Sequence, residues 1–397
     1  MLQVMAAAAP ILEVLPPITA EAPGRAPLMA APERVEHGEL DRALAQAERL
    51  AADNLHDDAV RELEEIWHET RADLSLALRH RLALSWAEMY RGNLSRAGDL
   101  LEQAQMIVQS PRFDATDRAE VLYRRGCVSL KRTEVAEADS LFTRALETND
   151  RSARPSALLA ANAHEWRSRC HQLRRDWEAA RRDAERSLEL AAAAGDERSE
   201  AHALFQASLV AERQRQWLLA RFYAEQALAL YTKHGDTLAT ARILNNIGGI
   251  CFLLGDVEEA KRRLEEAITT ADRAGSNPDL AQAVSSLAQV YLRTGEPREA
   301  RVRAERAASL LAGRLDFLDE LGNAQLVVAK ALAAEDDDEG AAAWLDQAEQ
   351  SFAALGSTSH VAAVWIVRGD LARDTGELDT AADLYRSAAD ALQDFHF

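Results

Sequence analysis

The chain has 397 residues, 48% of them apolar and 28% charged, with a formal net charge of −19 and a pI near 5.0. That is enough apolar material for a substantial core and excludes an intrinsically disordered chain. An acidic chain lacks the basic footprint that releases counterions from a duplex, so direct nucleic-acid binding is not expected.

Residues 1–38 hold six of the ten prolines, show no helical periodicity and have no lysine or arginine before Arg25. They read as a flexible Ala/Pro-rich tail, without the charged start of a secretory signal. From Glu39 onward almost everything reads as helix, and residues 39–397 form one array. Its ruler is a ladder of nine alanines, Ala59, Ala97, Ala138, Ala180, Ala220, Ala260, Ala300, Ala341 and Ala381, spaced by 38 to 42 residues. Small or bulky apolar residues follow four and seven positions later, as in Ala260, Leu264 and Ala267. Offsets of zero, four and seven share one helix face, and a repeat near 40 residues means stacked helical hairpins.

Glycines punctuate the ladder. Gly92, Gly255, Gly295 and Gly376 lie five residues before a landmark alanine and fit the turn inside a hairpin; Gly195, Gly235, Gly275 and Gly356 fit the turn between hairpins. Pro297 marks the opening of a second helix, and Ser276-Asn277-Pro278-Asp279 marks a stop and restart. The aromatics Trp86, Tyr123, Trp166, Phe205, Phe222 and Tyr291 are expected to fill the gaps between hairpins.

Charge is uneven along the array. Residues 151–182 carry eight arginines against three acids, and residues 335–397 carry 14 acids against three arginines. Solvated helix faces account for such runs; a polarised surface favouring a ligand with an acidic end is the functional reading. Cys127, Cys170 and Cys251 are far apart and form no CxxC pair, so they read as reduced thiols of a cytoplasmic protein. No run of 18 apolar residues offers a membrane span.

The residues of catalysis are poorly represented. His164, Cys170 and His171 are close in sequence, but adjacent helical positions point different ways and no orienting partner is in view. Glu335-Asp336-Asp337-Asp338-Glu339 lacks the spaced ligands and glycine of a calcium loop and falls where a turn belongs. No phosphate loop or HExxH is present, so no enzyme, metal or cofactor is expected.

With its first-helix pairs Ile247–Gly248 and Leu287–Ala288 and its second-helix series Ala260, Leu264, Ala267 and Ala300, Ala304, Ala307, the array resembles the tetratricopeptide repeat over residues 39–394. The unit length resembles the extended repeats of kinesin light chain and of peptide-sensing bacterial regulators, including the region that follows a helix-turn-helix domain. The first unit departs from the pattern, with Ile66 in place of the closing alanine, and the fourth carries Ser187. The resemblance implies an all-α, right-handed superhelical solenoid of about nine hairpins, making roughly one superhelical turn. First helices would line its concave face and hold a peptide or protein segment.

Counting back from each alanine then names the groove. Asn246 lies 14 residues before Ala260, where similar repeats hold a peptide backbone with a carboxamide that both donates and accepts. The equivalent positions include Arg124, Gln206 and Ser286; one residue earlier come Tyr123, Phe205, Asn245 and Ser285; one turn on come Arg169 and Gln289. Gly248 and Gly249 would leave room beside the asparagines, and Arg124 and Arg169 would meet a carboxylate. The other reading of the asparagines is that they bond neighbouring helices.

At the C-terminus no capping helix is evident, so Leu384, Leu392, Phe395 and Phe397 are expected to be partly exposed, either covered in an end-to-end homodimer or folded back on the ninth unit. Together these features point to a peptide-binding adaptor, or to the ligand-sensing part of a regulator whose DNA-binding domain is separate. A hydrolase or phosphatase built on the same repeats and a purely structural scaffold remain the rivals.

Overall fold

The structure, a computed structural model, describes residues 37–393. Residues 1–36 of the expected 1–38 tail and the last aromatics, Phe395 and Phe397, lie outside the described residues, and His37 and Gly38 begin the first helix. Among the described residues nine helical hairpins follow one another. The first pairs α1 (His37–Ala52) with α2 (His56–Glu65) and is followed by a single turn, α3 (Trp67–Thr70). Then come α4 (Leu74–Tyr90) with α5 (Leu94–Ile107), α6 (Ala115–Lys131) with α7 (Val135–Asp150), and α8 (Ala157–Leu173) with α9 (Trp177–Ala194). The middle hairpins are α10 (Glu197–Arg213) with α11 (Trp217–His234) and α12 (Thr237–Leu253) with α13 (Val257–Arg273). The last three are α14 (Asn277–Arg293) with α15 (Pro297–Leu311), α16 (Leu318–Ala333) with α17 (Asp338–Leu355), and α18 (Thr358–Asp374) with α19 (Leu378–Gln393).

Short polar side chains start many of these helices. Asp176, Asp196, Asp236, Asp256 and Asp337 each accept a backbone N–H of the first turn, and Asp114 forms a reciprocal capping box with Asp117. Each such cap contributes about 1 kcal/mol. The acidic run at 335–339 is a turn, with Asp337 accepting from the Gly340 amide at 2.9 Å.

The turn inside each hairpin is more uniform than its residues suggest. The position five before the landmark alanine has positive φ in all nine: Gly92, Gly255, Gly295 and Gly376, but also Asn54, Thr133, Arg175, Arg215 and Asp336. Geometry is therefore constant while glycine is not.

All nine landmark alanines sit on second helices and are at most 3% exposed. Twelve residues before them, a small first-helix residue meets the side chain four residues after. A Cβ on Gly126 would stand 2.6 Å from Phe142, one on Gly248 2.6 Å from Leu264, and one on Gly369 2.6 Å from Tyr385. Where the partner is only alanine, as at Ala184, the first helix carries Ser168, whose hydroxyl donates to the Ala180 carbonyl at 2.8 Å. At Gly126, Gly248 and Gly369 the bulky partner therefore fills the space a Cβ would take.

The first unit departs from the rest because α2 stops at Glu65, so Ile66 falls between α2 and α3 instead of closing the alanine face. Phe222 departs from the expectation of a buried aromatic: it is 59% exposed, beside Leu218 at 75%, on the outer face of α11. Leu384 and Leu392 are half-buried on α19.

Candidate ligand-binding groove

The first helices turn one face inward, and along it lies a cavity of about 740 Å³, within the range of small-ligand and peptide pockets. On α8 and α10 its walls are positions 18, 15, 14 and 11 before the landmark alanine: Asn162, Glu165, Trp166 and Arg169, then His202, Phe205, Gln206 and Leu209. The wall extends through Trp86 and Tyr90 of α4, Tyr123 and Lys131 of α6, and Arg242 of α12. The α1–α2 turn lies on the far side, through Ala51, Asn54 and His56. Arg198 of α10 donates to Asp53 at 3.2 Å across 145 residues of chain. The array has therefore come round by its fifth hairpin, a tighter coil than one turn in nine.

Aromatic rings form much of the lining. The Trp86 ring lies 5.2 Å from Tyr90, 6.4 Å from Tyr123 and 6.1 Å from Trp166, and His56 stacks on Tyr90 at 5.0 Å. Four cations, Lys131, Arg169, Arg198 and Arg242, face the cavity against Glu165 and Asp236, so a positive pocket sits in an acidic chain.

The groove residues read from the sequence divide. Tyr123, Arg169, Phe205 and Gln206 line the cavity, with Gln206 accepting from the Gln172 carboxamide at 3.2 Å. Arg169 lies 4.6 Å over the Trp166 ring and pairs with Glu165. Arg124 does not line the cavity: it donates to Glu120 at 2.6 Å and stacks over Trp86 at 4.8 Å. Asn245, Asn246, Ser285, Ser286 and Gln289 continue the same register on α12 and α14, beyond the cavity wall. Asn246 is engaged within the fold, accepting from Ser208 at 3.0 Å and donating to Glu212 at 2.8 Å. Gly248 packs on Leu264 rather than opening the groove, whereas a Cβ on Gly249 would meet nothing within 4 Å.

Sequence reasoning passed over Tyr90, Lys131 and Arg242. The signal was available for each: Arg242 stands 18 before Ala260, one turn up the counted face, and Tyr90 and Lys131 stand seven before Ala97 and Ala138, one turn down. The Asp53–Arg198 contact has no local signal.

His164, Cys170 and His171 all lie on α8, and the fold supplies the two histidines with a partner that was not in view in the sequence. Asp183 of α9 binds Arg167 at 2.7 and 2.8 Å, His164 at 2.8 Å and His171 at 3.4 Å. These partners hold its carboxyl well below the usual range against the burial that opposes ionisation. Burial pushes the Cys170 thiol up to about 12 and Cys127 well above its ordinary value, so neither is a thiolate nucleophile at neutral pH. Among the described residues no cluster of His, Cys, Asp and Glu is arranged to hold a metal ion, and no helix is long and apolar enough to cross a membrane.

Comparison with known proteins agrees with this architecture. Residues 239–312 match the tetratricopeptide repeat family model. No curated protein sequence matches the chain. Among solved structures it is similar to a Rap protein complexed with Competence and Sporulation Factor, at 16% identity and a TM-score of 0.65, over 90% of this chain and 98% of that one. It is also similar to NprR in complex with its cognate peptide NprX, at 12% identity and a TM-score of 0.56, over 89% and 99% of the two chains. A third similar structure is aspartyl phosphate phosphatase F from Bacillus subtilis, at 14% identity and a TM-score of 0.58, over 93% and 97%. At such identities the likeness is one of fold. The chain has an all-α solenoid fold of the tetratricopeptide-repeat type, the fold it shares with these structures.

Proposed function

We propose that the chain is a peptide- or protein-binding sensor, a regulatory adaptor or the ligand-sensing part of a regulator, that holds its ligand in the concave cavity. The observation that carries this reading is the cavity itself. It is built from one repeated face of consecutive first helices, walled by aromatic rings and closed across by the α1–α2 turn. Two structures of the same fold are described with bound factor or peptide, which supports the class of ligand. Tyr123, Arg169, Phe205 and Gln206 would be direct contacts, and the polar line through Asn245, Ser285 and Gln289 would extend the track for a longer segment.

A binding role is favoured over thiol-based hydrolysis by the neutral Cys127 and Cys170, and over other hydrolytic chemistry by the aromatic cavity, which none of His164, Cys170 and His171 lines. A scaffold with an empty groove is the remaining contrast. Selection of a displayed random peptide library against the full chain, with counter-selection on Leu209→Trp, tests the proposal. Peptides that bind the wild type and lose at least tenfold affinity for the blocked variant are expected; peptides indifferent to the block would overturn it.

A further inference from the structure

The outer face of α11 differs from its equivalents. Second helices carry charged, polar or small residues two before the landmark alanine, one before it and two after it, as Glu258, Glu259 and Arg262 do around Ala260. In α11 all three positions are large and apolar: Leu218, Leu219 and Phe222 are 75%, 40% and 59% exposed. Elsewhere in the array Val302 of α15 is the exception, and Arg298 and Glu299 hold the other two positions there. Side chains so exposed add little to the fold that carries them, and large apolar residues grouped on a surface mark an interaction site.

Beside this ridge is a hole. A cavity of about 220 Å³ lies between α9 and α11, lined by Leu219 and Tyr223 of α11 and by Ala207 and Val210 of α10. Ala184 of α9 contributes only a methyl to it, where Phe142, Leu264 and Leu345 stand in other units. The volume falls below the roughly 300–1,000 Å³ of ligand pockets and suits a single large side chain. Gln214 also lines it, with a buried Oε1 that accepts no hydrogen bond among the described residues. A ridge and a side-chain-sized hole on one face are the two halves of a self-complementary contact. Under a two-fold axis each copy's ridge enters the other's hole, so one operation satisfies both. Size and charge agree with a second copy. The helices α9 and α11 have 18 residues each, so each is about 27 Å long and about 10 Å across, and together they offer roughly 27 by 20 Å. That is of the same order as the ~800 Å² per partner of a standard interface. They carry five acids against five lysines and arginines in a chain of net charge −19, so two acidic molecules meet here without net repulsion.

We propose that the chain forms a two-fold homodimer through the outer face of α11, with Leu218 and Phe222 of each copy seated in the α9–α11 hole of the other. None of Leu218, Leu219 and Phe222 lines the larger cavity of the first helices, so the proposal does not depend on what that cavity binds.

Sedimentation velocity of the full chain from about 1 to 100 μM tests this. The parent is expected to approach twice its 43.7 kDa mass as concentration rises. Leu218→Glu and Phe222→Glu should each remain at 43.7 kDa, and the milder Phe222→Ala should weaken dimerisation at least tenfold. Val302→Glu is the control, since it places the same charge at the equivalent position of α15, and it should dimerise like the parent. All four variants should keep the parent's helical circular dichroism, because each replaced side chain is largely exposed. A parent that stays monomeric at about 100 μM would overturn the proposal. So would a dimer that survives both glutamate variants, which would place the contact elsewhere, such as the C-terminal end. A monomeric parent in which hydrogen exchange protects residues 11–18, with that protection lost in Phe222→Glu, would also overturn it and assign the face to the chain's own N-terminal segment.

Discussion

Arg198, at the start of α10, reaches back 145 residues to donate to Asp53 in the α1–α2 turn at 3.2 Å. The side chains are 49% and 58% exposed, so the pair closes the rim of the cavity without anchoring the fold. Exposed pairs of this kind contribute about 0–1 kcal/mol. Asp53→Ala is therefore expected to leave urea-unfolding stability within about 1 kcal/mol of the parent. It should nevertheless speed hydrogen exchange in the α1–α2 turn; a large loss of stability would show that the rim contact is structural.

The hairpin turns make a stronger demand. Thr133 and Arg215 hold φ of 64° and 59° at the position where other units place glycine. A left-handed conformation costs an ordinary residue about 1–2 kcal/mol, and more for a β-branched one. Thr133→Gly and Arg215→Gly should each stabilise the chain by roughly 0.5–1 kcal/mol after the entropy that glycine gains in the unfolded state is subtracted. Gly255→Ala should destabilise by a similar amount. Chemical denaturation of the three variants checks the sign.

Gly248 was legible as a special position but not for its reason. A Cβ there would stand 2.6 Å from Leu264, which is fully buried. Gly248→Ala is expected to cost about 1–3 kcal/mol through overpacking. Leu264→Ala alone should cost about 2–5 kcal/mol through its cavity. The double variant should be more stable than the sum of the two predicts, because Ser208 with Ala224 shows that a slightly larger first-helix residue and a smaller partner are compatible. Strict additivity would mean that the two side chains do not share the space.

Asn246 shows where a sequence ruler stops. Counting back from the landmark alanines reaches the face that lines the cavity at Gln206 and Trp166, but does not say what the neighbours of Asn246 do. The helix α10 presents Ser208 and Glu212 to the carboxamide, and those lie 38 and 34 residues away in sequence. Asn246→Ala would leave the buried Ser208 hydroxyl without its acceptor, at a cost of about 1–2 kcal/mol. Thermal unfolding should register that loss, while affinity for a ligand of the cavity stays within about twofold. A tenfold loss of affinity at unchanged stability would restore Asn246 to a direct contact.

How much could be read beforehand follows from the range of each interaction. Hairpins, turns and the alanine face are fixed within one unit of about 40 residues, so they repeat in the sequence and were visible. Four of nine turn positions carried glycine, and the other five were hidden because they adopt the same positive φ with a side chain that does not signal it. Lys131 and Arg242 lay one helical turn outside the window counted for the groove. The closure by Asp53 and Arg198 depends on the accumulated rotation of several units, which no single repeat encodes.

Acid sensitivity is the last consequence, and it rests chiefly on His80. This ring is fully buried on α4, with Nε2 2.6 Å from the Leu63 carbonyl, an arrangement satisfied by the neutral tautomer donating that hydrogen bond. Burial, opposed in part by the bond to Leu63 and helped by the neighbouring Arg81, brings its pKa down to about 4. In the unfolded chain a histidine titrates near 6.5. Between roughly pH 6.5 and 4 the unfolded chain therefore binds a proton that the folded chain does not, and stability falls as pH falls. The contribution of His80 is complete above about pH 6.5 and diminishes by up to about 3 kcal/mol by pH 4. Burial also lowers His56 and His202, which act in the same direction below about pH 6.5. Asp183 acts at lower pH: its folded pKa is depressed, so its stabilisation begins to fall where the unfolded carboxylate protonates and is lost as pH falls toward the folded pKa. Urea unfolding at pH 5.0 and 7.0 should show the parent markedly less stable at the lower pH. In His80→Gln the stability at pH 7.0 should drop but the difference between the two pH values should shrink; an undiminished difference would assign the acid sensitivity to His56 and His202 instead.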